Sequence, residues 1–440
     1  MIPLRYRRVL AGLGIVLAVL VTVWAFLRSG VPSAPAIQQS QPGMIDRFVW
    51  SYQEVVRREP ENLDAHALLG WAYIQKARET GDPAYYARAE AVLDAALRRD
   101  ERHVESLIGA GTLALARHQF RDALALGERA RAIDPYVPRV YGVIADAQIE
   151  LGMYDAAVTT IQTMVDMRPD LGSYSRASYA RELHGDLDGA IEAMDMAVRA
   201  GGPTTENTEW ARVQLGHLYA AKGDLINAER TYRLSLERLP GYAHALAGLA
   251  RISAAQGRFD EAIELYGQAV ARMPLPEFVI GLGETYEAAG RPEDAARQYD
   301  LVRAMQQLNQ ANGIDADLEL ALFEADHGSN PQAALTLAKS AYERRPGVKG
   351  AETLAWALYR TGDYTEARNK IEEALRLGTQ DALLFYRAGV IARAQGDSVA
   401  AQRWLSQALE LNPYFSPVYV SHARTALADV RAAGNEGRLP

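Results

Sequence analysis

Hydrophobic and polar positions along this chain repeat with a long period laid over the helical one. Alanine recurs at Ala89, Ala123, Ala157, Ala190, Ala228, Ala262, Ala295, Ala333, Ala367 and Ala401, at spacings of 33 to 38 residues. Self-similarity at that period is the signature of stacked repeats. With the alanine set as position 20 of a window, position 8 is small every time, counting an insertion in the first window: Gly70, Gly111, Ala145, Ser178, Gly216, Ala250, Gly283, Ala321, Ala355 and Gly389. Small residues let two helix backbones approach where a leucine would hold them apart. Position 27 is Ala96, Ala130, Ala197, Ala269, Ala374 and Ala408 in six windows, with Ser235 and Ser340 close in size and Met164 and Val302 as exceptions.

Between positions 8 and 20 a glycine ends a run of helix formers: Gly152, Gly185, Gly223, Gly257, Gly290, Gly328, Gly362 and Gly396. Glycine takes the left-handed conformation that a helix C-terminus wants. Near position 32 stand Pro60, Pro135, Pro169, Pro240, Pro274 and Pro413, with Pro203 and Pro346 one residue late, and proline stops one helix while being able to start the next. The predicted unit is helix, turn, helix, proline stop.

That unit resembles the tetratricopeptide repeat. Leu215, Gly216, Tyr219, Ala228, Tyr232 and Pro240 match its signature, as do Leu282, Gly283, Tyr286, Ala295 and Tyr299. The resemblance runs from about 63 to 413 as ten units and implies an all-α, right-handed superhelical solenoid of helical hairpins. Met44 to Arg58 reads as an unpaired helix before the first unit and Val418 to Arg431 as one after the last, so that the solenoid occupies 44–433 with both ends shielded. Three departures interrupt the period: seven extra residues around Ala77 to Pro83, the joint Gly201 to Thr205, and a run through Met305, Gln306, Gln307 and Leu308 to Gly313. They read as drift in surface connections. Residues 434–440 read as a flexible tail.

Ahead of the repeats, Val9 to Leu27 is a stretch of 19 residues without a charge, about 29 Å long as a helix and close to the thickness of a bilayer core. The sequence predicts a transmembrane helix at 9–27. Arg5, Arg7 and Arg8 lie in the basic tail 1–8, while only Arg28 follows before Asp46, so the positive-inside rule keeps the N-terminus cytoplasmic and puts the repeats in the periplasm or outside the cell. Small residues at Ser33, Ala34 and Ala36 suit the competing reading, a cleaved signal peptide and a secreted array. Residues 28–43, with Pro32, Pro35 and Pro42, read as a linker.

Composition narrows the chemistry. Beyond residue 43 the chain carries 43 basic and 55 acidic residues, a balance that offers no stripe for a nucleic-acid backbone. No cysteine occurs, which excludes disulfides, thiolate metal sites and cysteine nucleophiles. There is no phosphate loop, no HExxH and no GxSxG elbow, and the eight histidines show no pair at ligand spacing; neither a metal nor another cofactor is expected. Asp326 beside His327 is a conceivable triad fragment on an exposed turn, without a nucleophile elbow to serve. An enzyme of hydrolase type, built at the irregular joints from carboxylates or histidines, is the alternative from another class.

The informative surface is a stripe of the first helices. Positions 4, 7, 8 and 11 form the packing face, and positions 2, 5, 9 and 12 cluster on a face turned away from it. In the proteins this chain resembles, that stripe lines a concave groove and binds a partner segment. Here it holds Trp71, Arg139, Asp146, Ser175, Tyr179, Glu182, Trp210, His217, His244, Arg251, Glu277, Glu284, Glu287, Lys349, Glu352, Trp356, Tyr359, Tyr386 and Arg393. Aromatics among mixed charges suit a polypeptide better than a polyanion. The lysine and asparagine pair with which some family members clamp a C-terminal carboxylate is present in no repeat. The function expected from the sequence is a membrane-anchored scaffold that holds a protein or peptide partner, without catalysis, in a cell-envelope assembly complex.

Overall fold

The computed structural model describes residues 43–203 and 205–436. The predicted transmembrane helix at 9–27, the tail 1–8, most of the linker and the end of the C-terminal tail lie outside the described residues. Among those described there are 22 helices and no strand, and no helix is long and apolar enough to cross a membrane. Helix α1 (Met44–Arg58) precedes ten antiparallel hairpins: α2 and α3 (Leu63–Thr80, Ala84–Arg99), α4 and α5 (Val104–Ala116, Phe120–Ile133), α6 and α7 (Pro138–Glu150, Tyr154–Met167), α8 and α9 (Leu171–Leu183, Leu187–Ala200), α10 and α11 (Glu206–Ala221, Leu225–Arg238), α12 and α13 (Ala243–Ala255, Phe259–Arg272), α14 and α15 (Pro276–Ala288, Pro292–Ala311), α16 and α17 (Asp317–His327, Pro331–Arg344), α18 and α19 (Val348–Arg360, Tyr364–Leu375), α20 and α21 (Ala382–Ala394, Ser398–Leu411). Helix α22 (Tyr419–Glu436) ends the stack.

Most of the hairpins are locked by a plug and a hole. Position 24, on the second helix, carries a large side chain that lies over position 8 of its own hairpin and position 6 of the next. Tyr232, wholly buried, fills the space that side chains at Gly216 and Gly248 would need: a Cβ on Gly248 would stand 2.6 Å from its ring. Leu93 does the same between Gly70 and Gly109, at 2.6 and 2.7 Å. Tyr266 covers Gly281, Tyr299 covers Gly283 and Leu405 covers Gly389. Repeat 2 inverts the arrangement, with Gly127 at position 24 and Val143 and Ile144 of the next hairpin filling the space. Ala89, Ala123, Ala157, Ala190, Ala228, Ala262, Ala295, Ala367 and Ala401 are all buried, as the repeat requires.

Polar chemistry fixes the turns. At position 16, Asp186, Asp224, Asp363 and Asp397 cap the second helices, each carboxylate accepting the backbone N–H three residues on at 2.9 to 3.2 Å, which satisfies an otherwise orphan donor. The glycine before the cap is left-handed, as at Gly152 with φ 72°. In repeat 2 that position is His118, which adopts φ 60° without being glycine.

Repeat 8 departs from the expected register. Ala333 is exposed, whereas Ala334, Ala338 and Ala341 are buried, so Ala334 is the true position 20 there. Helix α16 runs one residue further past position 8 than the other first helices except α2 do, from Ala321 to His327, before a turn of the usual length. For that reason Gly328 has φ −80° and is not left-handed, Asn330 takes the cap position, and Pro346 falls at position 32 and not one residue late.

A hairpin ribbon has two edges, one formed by the turns within hairpins and the other by the joints between them. Here the two edges meet. The Leu183 carbonyl accepts from the Thr379 hydroxyl at 2.5 Å, the Tyr154 hydroxyl accepts from the Val348 N–H at 2.7 Å, and the Ala220 carbonyl accepts from the Asn412 amide at 2.9 Å. Arg345 reaches Glu150 at 2.7 Å, and the His118 ring is 2.9 Å from the Asp315 carbonyl. The separation along the chain is 192 to 197 residues in each case, which is one superhelical turn of about 5.7 repeats. An apolar cluster continues across the same line, joining Ile149, Tyr154 and Leu183 to Val348 and Leu384. Successive superhelical turns therefore abut along a seam.

Two of the three departures from the period, around 77–83 and 305–313, meet at this seam and are not drift, while the third, 201–205, precedes a residue paired across a shorter separation of 128 residues. The lengthened α2 carries Arg78 to an ion pair with Glu206, the residue that follows the 201–205 joint, and sets Gly81 beside Met273 and Leu275. The 20-residue α15 runs on to deliver Asp315, whose N–H donates to the Arg117 carbonyl at 2.9 Å.

Gly216→Leu and Gly283→Leu insert a side chain where Tyr232 and Tyr299 already sit, and each is expected to cost at least about 1 to 3 kcal/mol through overpacking. Thermal denaturation followed by circular dichroism measures this; an unchanged midpoint in both would contradict the plug-and-hole assignment.

Candidate functional site

The first helices line the concave side. Asp326 on α16 touches Trp356 on α18, Arg387 on α20 and Tyr419 on α22, and the Trp356 ring meets both Arg387 and Tyr419, which only an inward-curving row of first helices allows. A ring of between five and six such helices, spaced 8–10 Å apart, leaves a lumen of roughly 10 Å or less once a helix diameter is subtracted. The candidate stripe faces that lumen, and its members divide into three groups.

Three of them are interior. Glu352, Trp356 and Tyr386 are 1, 3 and 5% exposed, which corrects the expectation that they present themselves to a partner. Asp326 is the reason. Its carboxylate accepts from Trp356 Nε1 at 2.8 Å, the Tyr419 hydroxyl at 2.8 Å and Arg387 Nη2 at 3.0 Å. Arg387, buried, also donates to Glu352 at 2.6 Å and lies over the Trp356 ring at 5.4 Å. Tyr386 stacks on Tyr419 with centroids 5.2 Å apart. This network ties repeats 8, 9 and 10 to the closing helix, and breaking it would strand a buried charge. Asp326 and Arg387 are the residues that sequence reasoning missed: Asp326 read as part of an exposed turn, and nothing local signals that a tyrosine 93 residues away covers it.

A second group is accessible but committed to neighbours. Arg139 pairs with Glu105 at 2.6 Å and lies 5.7 Å from the Trp71 ring. Asp146 takes both prongs of Arg176, at 2.6 and 2.8 Å. Trp210 sits under Arg78 at 5.5 Å. Glu284 lies 3.4 Å from His327, and Glu287 accepts from the Tyr299 hydroxyl at 2.9 Å. Burial pulls the His327 pKa down, but the Glu284 hydrogen bond and charge outweigh it and raise the pKa above the usual histidine value. Lys349 donates to Glu352 and Asp381 at 3.1 and 3.2 Å, and the Glu352 charge above all raises its pKa against burial. Tyr359 stacks on Trp356 at 4.9 Å, and Arg393 pairs with Asp429 at 2.9 Å. His217 Nδ1 is 2.7 Å from the Tyr232 hydroxyl and 3.2 Å from Arg251 Nη2. Burial first, then the Arg251 and His244 charges, holds its pKa well below the ordinary value, so its imidazole is neutral. His244 packs edge-on against Phe278 at 5.2 Å, and burial lowers its pKa too.

The third group is uncommitted. Tyr179 is 38% exposed, lines a hollow with Glu150, Arg345 and Lys349 at the seam, and has its hydroxyl pKa pushed up by surrounding protein. Glu182, one helical turn on, has its carboxyl pushed up to about 6, chiefly by burial. Glu277 is exposed and its pKa is raised, again first by burial. Groups that water reaches, yet that feel a protein environment, are what a narrow lumen produces. The arrangement can bind through ring faces, two reluctant carboxylates and a few charges, and no nucleophile is set against a base among these described residues.

Comparison with known proteins accords with this geometry. Two family models, both described as tetratricopeptide repeat, match the chain, one at residues 114–181 and 219–278 and the other at 85–138 and 352–414. The protein O-mannosyl-transferase TMTC1 of Homo sapiens is 23% identical over 46% of this chain and 23% of its own length. The TPR repeat-containing protein YpiA of Bacillus subtilis (strain 168) is 24% identical over 62% of this chain and 55% of its own. The chain thus spans about a quarter and about half of these relatives. Among solved structures, the human IFIT1 dimer with PPP-AAAA is similar at 17% identity and a TM-score of 0.48, with 76% of this chain and 82% of that one covered.

The Glu182 carboxyl supplies a pH test. Its folded pKa lies above the unfolded value, so its contribution favours the fold below pH 4.5 and is lost as pH rises through about 6. Urea denaturation of wild type and Glu182→Gln should show the wild type losing stability relative to the variant across that window; parallel profiles would mean that Glu182 is fully solvated.

Proposed function

The chain belongs to the tetratricopeptide repeat family, and we propose that it is a membrane-anchored scaffold whose inner face holds an extended polypeptide partner, without catalysis, in a cell-envelope assembly complex. The observation that carries this reading is the uncommitted part of the stripe: Tyr179, Glu182 and Glu277 accessible within the lumen, with the half-buried rings of Trp71 and Trp210 on the same face. Aromatic and polar groups held on rigid helices, partly dehydrated before any partner arrives, lose little on binding. An extended chain matches the width of the lumen; a folded domain or a duplex nucleic acid does not. The anchor is read from Val9 to Leu27, whose 19 uncharged residues match a bilayer core.

A partner isolated with the full chain as bait, then measured by calorimetry, should bind Tyr179→Ala and Trp210→Ala more weakly, by about 2 kcal/mol where the ring is an anchor, at little cost in melting temperature. Trp356→Ala should lower the melting temperature instead. Undiminished binding by the double variant Tyr179→Ala/Trp210→Ala would place the site elsewhere.

The anchor has its own test. The native chain should sediment with membranes and stay there in alkaline carbonate, with an intact mass that includes residues 9–27. A mature N-terminus near Ile37 would replace the anchor with a cleaved signal.

A further inference from the structure

The seam encloses the surface on which a partner would sit. Tyr179 borders the line where Arg345, Val348 and Lys349 of the later superhelical turn meet the earlier one. With the two ribbon edges in contact, the lumen is reached only through its ends or by parting the seam. The contacts along the seam differ in kind from those inside the ribbon. Hairpins interlock through wholly buried plugs such as Tyr232 and Leu93, whereas the seam has one apolar patch, Ile149, Tyr154 and Leu183 with Val348 and Leu384, and beyond it the Arg345–Glu150 ion pair and single bonds between loops: Thr379 to Leu183, Val348 to Tyr154, Asn412 to Ala220, Asp315 to Arg117. Parting it leaves every nearest-neighbour interface of the solenoid intact, and those interfaces hold a repeat array together. The seam is also a specific construction, because two of the irregular segments of the chain are the ones that bring Gly81 to Leu275 and Asp315 to Arg117.

We propose that the seam is a gate: the superhelix rests closed, and its two turns spring apart along the line from Gly81–Leu275 to Ala220–Asn412 to admit an extended polypeptide sideways to the lumen. This rests on the reading of the inner face as the binding surface, but the gate itself is testable without a partner. Sideways entry suits an internal segment of a longer chain, which has no free end to thread. The energetic logic is that of sub-global opening, in which the unit with the fewest buried apolar contacts separates first while the rest stays folded.

The chain has no cysteine, so single cysteines report without background. In the full chain, Tyr179→Cys is labelled by N-ethylmaleimide or by a bulky polyethylene-glycol maleimide, in the native background and with the seam weakened by Tyr154→Phe and Thr379→Val, which delete two of its hydrogen bonds. A closed gate makes the bulky reagent much slower than the small one, and loss of two bonds should speed the bulky reagent by about tenfold or more while hardly changing the small one. Leu93→Cys, at a wholly buried plug position, reports unfolding and should stay unreactive throughout. Equal rates for the two reagents in the native background would show that the lumen is open. A rate ratio indifferent to the seam variants would show entry through the ends. Reactivity at Leu93→Cys rising in step with Tyr179→Cys would make the seam a structural joint and not a gate. Each of the three overturns the proposal, and none of them bears on whether a partner binds the inner face, which the calorimetry of Tyr179→Ala decides.

Discussion

Everything larger in this molecule follows from the distance at which one helix crosses the next. A glycine or alanine at position 8 takes the side chain at position 24 against its backbone, and the same side chain reaches position 6 of the following hairpin. Tyr232 between Gly216 and Gly248, and Leu93 between Gly70 and Gly109, each fix two crossings at once. Because one side chain sets both the spacing within a hairpin and the step to the next, an error in either is transmitted along the stack. Interiors are too densely packed to absorb it. The curvature of the ribbon is the accumulated result, and it brings the two edges together after 192 to 197 residues.

Closure places unusual demands on charge. Arginine outnumbers lysine 42 to 5, and the arginines at long-range contacts use the breadth of the guanidinium. Arg345 bridges Glu150 and Glu319 while lying over the Phe120 ring, Arg344 holds Asp315 and Asp317, and Arg387 spans Asp326 and Glu352. Arg345 and Arg387 each join carboxylates from different repeats in one planar fork, a task for which an ammonium has the wrong geometry. Exposed pairs within one helix, such as Arg57 with Glu54, do no comparable work and contribute little.

The hairpins were legible because their determinants are local. An alanine at position 20, an aspartate cap after a glycine, and a proline stop each act within a few residues, so a single sequence exposes them. The slip in repeat 8 was not legible: Ala333 and Ala334 are adjacent alanines, and only burial distinguishes them. Nor does sequence show that His118 adopts the glycine conformation, although the absence of glycine at that one turn was visible. The stripe was legible as a face of the first helices, but which of its members meet water depends on curvature. Trp356 stands at the same position 9 as Tyr179, and Tyr386 at position 5 of the same stripe, yet Tyr419 closes over both, with Asp326 holding Trp356, because the last repeats end against α22. A contact at 195 residues leaves no periodic trace; the only hint was that three segments broke the period.

Those breaks also bear on what the solenoid is for. The lengthened α2 and α15 each deliver a loop to the opposite edge, Gly81 beside Leu275 and Asp315 to the Arg117 carbonyl. The seam, made by the regular joints at Val348, Thr379 and Asn412 as well as by the two insertions, encloses the groove as a lumen, and the inserted residues add the cost of ordering extra backbone, roughly 1 to 2 kcal/mol per residue before any contact is made. Enclosure raises the desolvation of the groups inside, as Glu182 and Tyr179 show, and a group already stripped of part of its water has less to lose when a partner arrives. The same enclosure bars the partner until the wall parts, so strength of grip and ease of entry are opposed in this fold, and the balance between them is set by the few hydrogen bonds of the seam.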